Sequence, residues 1–211
     1  KEIEAVLDVL KKSHLTLVDG DNVKLFEKKV SFLFNKKFGV MVNSGSSANT
    51  LALAVLKAEL KGEVITPALT FSTTVAPIVQ LGLVPVFVDI DPETLQIDPN
   101  LIEQDVTKKT VALMIPNLIG NLAEWKSIYN IAKKHNLITI EDSADTIGYT
   151  IDEDIGNKYS DLSTTSFYAS HVVTGAGTGG MLTLNNTTFY DRAKLLRGWG
   201  RDSSLFNEKE D

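Results

Sequence analysis

The sequence predicts an α/β protein with three α/β/α layers, in which helices cover both faces of a mostly parallel sheet. Short apolar runs, typical of buried strands, alternate along the chain with stretches of helical periodicity. The chain has 211 residues, of which 43% are hydrophobic, so one domain of residues 1–211 can bury a core. Ligands bind to such sheets beyond the carboxyl ends of the strands, and we expect the functional site there.

The first half of the chain is predicted to contain four helices and three strands. Asp21 is suited to cap the second helix, because a carboxylate there can accept N–H groups of the first turn. Apolar residues recur on one stripe of the second and third helices. The predicted elements are helix Lys1–Lys12, helix Asn22–Phe38, strand Gly39–Asn43, helix Ser46–Leu60, strand Glu63–Thr66, helix Ser72–Leu81 and strand Val84–Asp89.

The second half is predicted to contain four strands and two helices. In the first of these helices Trp125, Ile128 and Ala132 recur at the spacing of one helical face. The predicted elements are strand Thr110–Ile115, helix Ala123–His135, strand Leu137–Ile140, strands Ser163–Tyr168 and Gly180–Leu184, and helix Thr187–Gly198.

Composition excludes several classes of function. The net charge of −6 argues against a nucleic-acid partner and against an anionic membrane surface. The chain has no cysteine, which excludes disulfides, thiol catalysis and cysteine-bound clusters within it and fits a cytoplasmic enzyme. No apolar run approaches the ~20 residues of a membrane span. The histidines His14, His135 and His171 are too scattered to suggest a metal site, so we expect none.

A phosphate-binding turn is the first candidate for chemistry. Gly45, Ser46 and Ser47 lie between a predicted strand and the strongly periodic third helix. Small residues let backbone N–H groups approach a phosphate, hydroxyls add donors, and the helix N-terminus carries about half a positive charge. Taken alone, the turn is equally typical of Ser46 acting as an ordinary helix cap.

Three further segments carry candidate site residues after strands. Phe71 follows the strand Glu63–Thr66 and could stack on a flat heteroaromatic group, although such a ring is also typical of a core. Asp142 and Asp145 follow a buried-looking strand, where a carboxylate could pair with a ring nitrogen or simply belong to an acidic loop. Ser166 and His171 flank a later turn.

A glycine-rich segment after His171 matches the letters of a dinucleotide-binding motif but not its structural context. Residues 175–180 read Gly-Ala-Gly-Thr-Gly-Gly, which fits the letters G-x-G-x-x-G. A dinucleotide site needs that loop to open a helix, whereas a predicted strand follows here. The segment is therefore interpreted as a flexible turn of the site.

In their order along the chain, these motifs resemble the DegT/DnrJ/StrS family of sugar aminotransferases, fold type I enzymes that use pyridoxal phosphate (PLP). The resemblance runs from about Asn22 to Asp202. The matching runs are Phe26-Glu27, Val42-Asn43-Ser44-Gly45-Ser46-Ser47-Ala48-Asn49, Pro67-Ala68-Leu69-Thr70-Phe71, Glu141-Asp142-Ser143-Ala144, Ser166-Phe167-Tyr168 and Gly179-Gly180.

The resemblance implies a role for each candidate residue. Ser46, Ser47 and Ser166 match residues that hold the cofactor phosphate, next to Gly45 in the same turn. Phe71 matches the residue that stacks on the cofactor ring, and Asp142 the residue that pairs with its nitrogen. Asp145 stands where many of these aminotransferases have a glutamine at the face of the ring.

One departure from the family pattern matters most: His171 falls on the lysine that forms the Schiff base. A histidine cannot form that linkage but can move protons near neutral pH. This change, with the Arg-Gly-Trp-Gly-Arg-Asp run at 197–202, resembles the 3-dehydratase branch of the family, which makes 3,6-dideoxysugars. The resemblance implies pyridoxamine phosphate (PMP) as cofactor and a nucleotide-linked 4-keto-6-deoxyhexose as substrate.

Further expectations follow from the same branch. Some members carry an iron–sulfur cluster on cysteines just after that run, where Ser203, Ser204 and Leu205 stand here. The resemblance therefore implies no cluster, L-glutamate as amino donor, a homodimer, and a smaller C-terminal domain that is missing from this chain. A sugar aminotransferase and a non-catalytic family member stay open as alternatives.

Overall fold

A seven-stranded sheet forms the centre of the structure, a computed structural model that describes residues 1–12, 19–56 and 61–202. The strands of this sheet are β1 Phe38–Val42, β2 Glu63–Pro67, β3 Val84–Val88, β4 Thr110–Pro116, β5 Ile138–Asp142, β8 Leu162–Ser166 and β9 Gly180–Leu184. Their order across the sheet is β1-β9-β8-β5-β4-β2-β3. All pairs are parallel except those of β9, which runs antiparallel to both β1 and β8.

Helices cover both faces of this sheet, as the sequence predicted. One face packs against α3, α4 and α7 through residues such as Leu51, Ile78 and Ala193. The other face packs against α6 through Trp125 and Ile128. The helices are α1 Glu2–Lys12, α2 Asp21–Leu33, α3 Gly45–Ala54, α4 Ser72–Gln80, α5 Pro99–Ile102, α6 Trp125–His135 and α7 Thr187–Arg197.

Several predicted boundaries were wrong. The helix predicted over Asn22–Phe38 ends at Leu33, because Asn35 adopts the left-handed conformation at φ 50° and turns the chain into β1. Asp21 is the first residue of α2 and not its cap; Gly20 holds that position. The strand predicted over Ser163–Tyr168 ends at Ser166.

Other elements also differ from the prediction. Strand β5 continues two residues beyond Ile140, so that Glu141 and Asp142 belong to the strand itself. The short helix α5 and a small hairpin of β6 Thr150–Ile151 and β7 Asp154–Ile155 were not predicted. The helix predicted over Ser46–Leu60 begins at Gly45 and ends at Ala54, with Val55 as its C-cap; residues 57–60 lie outside the described residues. Within the described ranges, no helix is long and apolar enough to cross a membrane.

Candidate active site

A cavity of about 570 Å³ opens at the carboxyl ends of the parallel strands. Its walls are formed by segments that come directly after the ends of strands, which is where sheets of this topology bind ligands. The residues that line it are Ser44, Gly45, Ser46, Asn49, Phe71, Thr73, Thr74, Pro116, Asn117, Leu118, Ile119, Asp142, Ala144, Asp145, Ser166, Tyr168, Ser170, His171 and Thr178.

Seven of the eight residues predicted for the site line this one cavity, namely Gly45, Ser46, Phe71, Asp142, Asp145, Ser166 and His171. Ser47 is not part of the lining. Its backbone N–H instead donates a hydrogen bond to Ser44 Oγ at 3.2 Å. The hydroxyl of Ser44 in turn donates to Ser47 Oγ, also at 3.2 Å. Ser44 is therefore the N-cap of α3, the position for which Ser46 was the sequence candidate.

The N-terminus of α3 forms one end of the cavity. The first N–H groups of a helix have no partner within it, so those of the turn at Gly45 and Ser46 can face a ligand. Glycine is required at this point by close approach: a Cβ on Gly45 would lie 2.7 Å from the Cβ of Ser166. A Cβ on Gly180 would collide with the backbone of Ser44. These contacts bring Ser166 beside the helix end, where together they can hold a phosphate.

Asp142 forms the floor of the cavity. Its Oδ2 accepts bonds from Asn49 Nδ2 at 2.8 Å and from Thr74 Oγ1 at 2.9 Å, and its Oδ1 accepts the N–H of Ala144 at 3.2 Å. Burial raises the pKa of this carboxyl, and the bonds from Asn49 and Thr74 oppose that rise. The site thus holds a desolvated carboxylate in a fixed orientation, which suits it to pair with a protonated ring nitrogen.

Phe71 stands at the mouth of the cavity, just before the first turn of α4. Its side chain is 67% exposed, which excludes the alternative that it belongs to the core. An aromatic ring that faces an open cavity has a free face on which a flat ligand can stack.

His171 and Asp145 lie next to each other in one wall of the same cavity. The imidazole Nδ1 lies 3.4 Å from Asp145 Oδ1, and the other carboxylate oxygen accepts the backbone N–H of Ile119 at 3.0 Å. The ring of Tyr168 lies edge-on to the imidazole, with 6.3 Å between ring centroids. A base, a carboxylate and an aromatic neighbour thus occupy one wall of the cavity.

A buried polar cluster lies behind that floor, on the opposite face of β5. Glu141 is fully buried, and its carboxylate accepts bonds from six side chains: Asn117, Ser143, Tyr149, Asn157, Ser160 and Ser163. The Lys36 ammonium donates to the backbone carbonyls of Asn157 and Ser160. Asn117 also lines the cavity, so the cluster reaches the site directly.

Sequence reasoning missed four residues that shape the site. Asn49 and Thr74 orient Asp142, and both lie within or beside runs that carried the family resemblance. Asn117 and Ile119 follow the end of β4, a position where parallel sheets place ligand contacts. Their place after the end of a predicted strand is the signal by which Asn117 and Ile119 could have been found.

Comparison with known proteins places the chain in a family. The DegT/DnrJ/EryC1/StrS aminotransferase family matches residues 1–210. The chain is 38% identical over 208 residues to a dTDP-4-dehydro-2,6-dideoxy-D-glucose 3-dehydratase of Saccharopolyspora spinosa, covering 95% of this chain and 44% of that protein. It is 36% identical over 181 residues to a GDP-perosamine synthase of Escherichia coli O157:H7, covering 86% of this chain and 50% of that protein.

A solved structure gives the same result for the fold. The crystal structure of NtdA from Bacillus subtilis with bound cofactor PMP superposes with a TM-score of 0.89 at 30% identity, covering 100% of this chain and 48% of that one. The chain thus spans about half the length of the curated relatives that it matches. By sequence and by fold, the chain belongs to the DegT/DnrJ/EryC1/StrS aminotransferase family.

Proposed function

We propose that this protein is a PMP-dependent 3-dehydratase, which removes the 3-hydroxyl of a nucleotide-linked 4-keto-6-deoxyhexose. One observation carries the proposal: among the described residues that line the cavity there is no lysine, and His171 stands on the wall instead. A transaminase needs a lysine amine in its site to hold PLP, whereas a histidine can serve as a base. The 3-dehydratase from Saccharopolyspora spinosa among the relatives supports this reading.

The residues present fit a pyridoxamine cofactor. The buried Asp142 carboxylate would pair with its ring nitrogen, since Asn49 and Thr74 already hold that carboxylate in place. Phe71 would stack on the ring from the cavity mouth. Ser46 and Ser166, with the N-terminus of α3, would bind the phosphate, and Ser47 would contribute there through its place in the first turn.

When bound, the cofactor supplies an amine that condenses with a sugar ketone and a ring that accepts electrons. His171 would act as the base from the wall of the cavity. It would take one proton, at an imidazole nitrogen, from the carbon that carries the cofactor's amine, and would return it to the 3-hydroxyl oxygen, which leaves as water when its bond to the sugar breaks. Asp142 would keep the ring nitrogen protonated while this happens.

Hydrolysis after the loss of water would release the 3-deoxy ketosugar and ammonia, so a donor must restore the amine of the cofactor. We propose L-glutamate, because this chain has no cysteine with which to bind an iron–sulfur cluster that could deliver electrons. The positions after Asp202, where clusters of the resembling branch are bound, lie outside the described residues.

We also propose that the working enzyme is a homodimer and that a smaller C-terminal domain completes the site. Phe71, Ile119 and Tyr168 line the cavity and are each more than half exposed. Such an apolar rim favours coverage by further protein, either a second copy or a further domain.

The decisive experiment supplies protein that contains this chain with PMP, glutamate and a panel of GDP-, CDP- and dTDP-linked 4-keto-6-deoxyhexoses. We expect mass spectrometry to show loss of the 3-hydroxyl from at least one of these sugars. The His171→Asn variant is the matched control, since it removes the base without adding an amine. It should bind PMP and lose turnover by about 10²-fold or more.

The competing function is a sugar aminotransferase, supported by the similarity to a GDP-perosamine synthase. Borohydride treatment separates the two, because it fixes PLP only where a lysine holds it as an imine. A PLP–lysine adduct, or transfer of an amino group to the sugar with the 3-hydroxyl kept, would overturn the dehydratase proposal. Absence of PMP binding would favour a non-catalytic family member.

A further inference from the structure

We infer that Asp145 is a positioning residue for His171: it holds the neutral imidazole in the tautomer that carries its proton on Nδ1 and so leaves Nε2 free as the base. The inference rests on the proposed function for its catalytic meaning. The pairing itself is a property of the free site and can be tested without turnover.

The geometry of the pair is the first argument. Nδ1 of His171 lies 3.4 Å from Asp145 Oδ1, slightly beyond an ordinary hydrogen-bond distance, and an ionised carboxylate can act toward that nitrogen only as a hydrogen-bond acceptor. A neutral imidazole has one N–H, so an N–H at Nδ1 leaves Nε2 with a free lone pair. The side chains of His171 and Asp145 are 20% and 38% exposed, so the pair is partly buried in the cavity wall.

The anchoring of Asp145 is the second argument. Its Oδ2 accepts the N–H of Ile119 at 3.0 Å, so both carboxylate oxygens have assigned partners. Ile119 donates that N–H from a left-handed conformation, with φ 53° and ψ 26°. This conformation is costly for a β-branched residue and persists only where surrounding structure requires it. Strain at this turn is thus associated with the bond that fixes the carboxylate.

The arrangement has a defined consequence for proton transfer. When Nε2 takes a proton, the imidazole becomes a cation whose Nδ1–H still points at Asp145, so the carboxylate stabilises the charge that forms. When Nε2 returns the proton to the departing hydroxyl, the ring recovers the same neutral tautomer. Asp145 gains and loses no proton, and the ring needs no rotation between the two steps.

A second histidine provides an internal reference. His135, at the end of α6, presents Nε2 to Glu103 Oε1 over 2.7 Å. The two histidines therefore face carboxylates through opposite ring nitrogens, and their neutral forms should be opposite tautomers.

The test is nitrogen-15 NMR of the imidazole rings in histidine-labelled protein that contains this chain, without added cofactor and at a pH where both rings are neutral. The signals of His171 are assigned by their loss in His171→Asn. We expect protonated Nδ1 and bare Nε2 for His171 and the reverse for His135. Asp145→Asn should shift His171 toward the Nε2–H form and leave His135 unchanged, whereas Glu103→Gln should affect His135 only.

Kinetics supply the second readout where turnover is found. Asp145→Asn should lower kcat by about 10- to 100-fold while KM and the affinity for PMP change less than threefold, since the carboxylate acts through the base. In the His171→Asn background the same change should have almost no further effect.

Two outcomes would overturn the inference: a wild-type His171 protonated on Nε2 in its neutral form, or an unchanged His171 tautomer in Asp145→Asn. A large loss of PMP affinity in that variant would instead show that Asp145 contacts the cofactor. If the wild type shows the expected tautomer but no dehydration of any sugar, the proposed function fails and the pairing stands.

Discussion

The buried lysine behind the cavity floor should make the stability of this protein rise with pH in a window where most proteins lose stability. Lys36 is 6% exposed, and burial lowers the pKa of its ammonium from the ordinary 10.5 to about 8, although Glu141 and Asp161 oppose the shift. Between pH 8 and 10.5 the unfolded chain therefore binds more protons at this residue than the folded one does. The free energy of unfolding increases with pH wherever that is so.

The size of the effect follows from the two pKa values. Each tenfold change in proton affinity corresponds to about 1.4 kcal/mol, so Lys36 alone should add about 3 kcal/mol to the free energy of unfolding between pH 8 and 10.5. Below pH 8 the ammonium is charged in the folded and the unfolded chain, and its burial lowers the free energy of unfolding by the full amount. Above pH 10.5 the amine is neutral in both states, so this destabilisation is absent.

Urea unfolding curves at a series of pH values measure this contribution. The Lys36→Met variant should lose the rise of about 3 kcal/mol relative to wild type, whatever its stability at a single pH. Lys37→Met is the matched control because the neighbouring Lys37 is exposed, and its pH profile should follow the wild type. Parallel profiles for wild type and Lys36→Met would refute the reasoning, since they would mean that Lys36 is solvated in the native state.

The remaining predictions concern the cavity walls. Asp142→Asn should weaken PMP binding about 10- to 100-fold in an absorbance titration, because a charge-assisted bond worth ~1.5–3 kcal/mol is lost. Gly180→Ala should cost about 3 kcal/mol or more in thermal unfolding, because its Cβ meets the backbone of Ser44. Gly148→Ala meets nothing within 4 Å and should cost only about 1 kcal/mol for its φ of 70°. Ile119→Gly should raise the free energy of unfolding by up to about 1 kcal/mol, while a decrease would show that no strain is stored there.

Local sequence signals were sufficient for most of the fold. The alternation of strands and helices predicted every strand of the main sheet, and most of these strands are short apolar runs. Strand β8 is the exception, since it reads Leu-Ser-Thr-Thr-Ser although all five residues are buried. The error at Asn35 had a local cause as well, since asparagine is among the few residues that adopt φ near +50° with little cost. Helix α5 and the hairpin β6–β7 were missed because elements of two to four residues are too short to show a period.

The partners within the site could not be derived in the same way. Asn49 and Asp142 are 93 residues apart, and no periodicity relates them. The same holds for Asp145 and Ile119, 26 residues apart, which meet only because β4 and β5 are neighbours that end at one edge of the sheet. The sequence predicted seven of the residues that line the cavity, whereas the pairing of His171 with Asp145 required the fold.

The end of β5 shows why the cavity floor tolerates two adjacent buried acids. Side chains alternate across a strand, so Glu141 and Asp142 point to opposite faces of the sheet. Glu141 meets six donors and the field of Lys36 in the interior, whereas Asp142 meets two side-chain donors and an open cavity. The first carboxylate is thus satisfied by protein alone, and the second keeps capacity for a cationic ligand. A slip of one residue in β5 would exchange the two environments, which ties the strand register directly to the ability of the site to hold its cofactor.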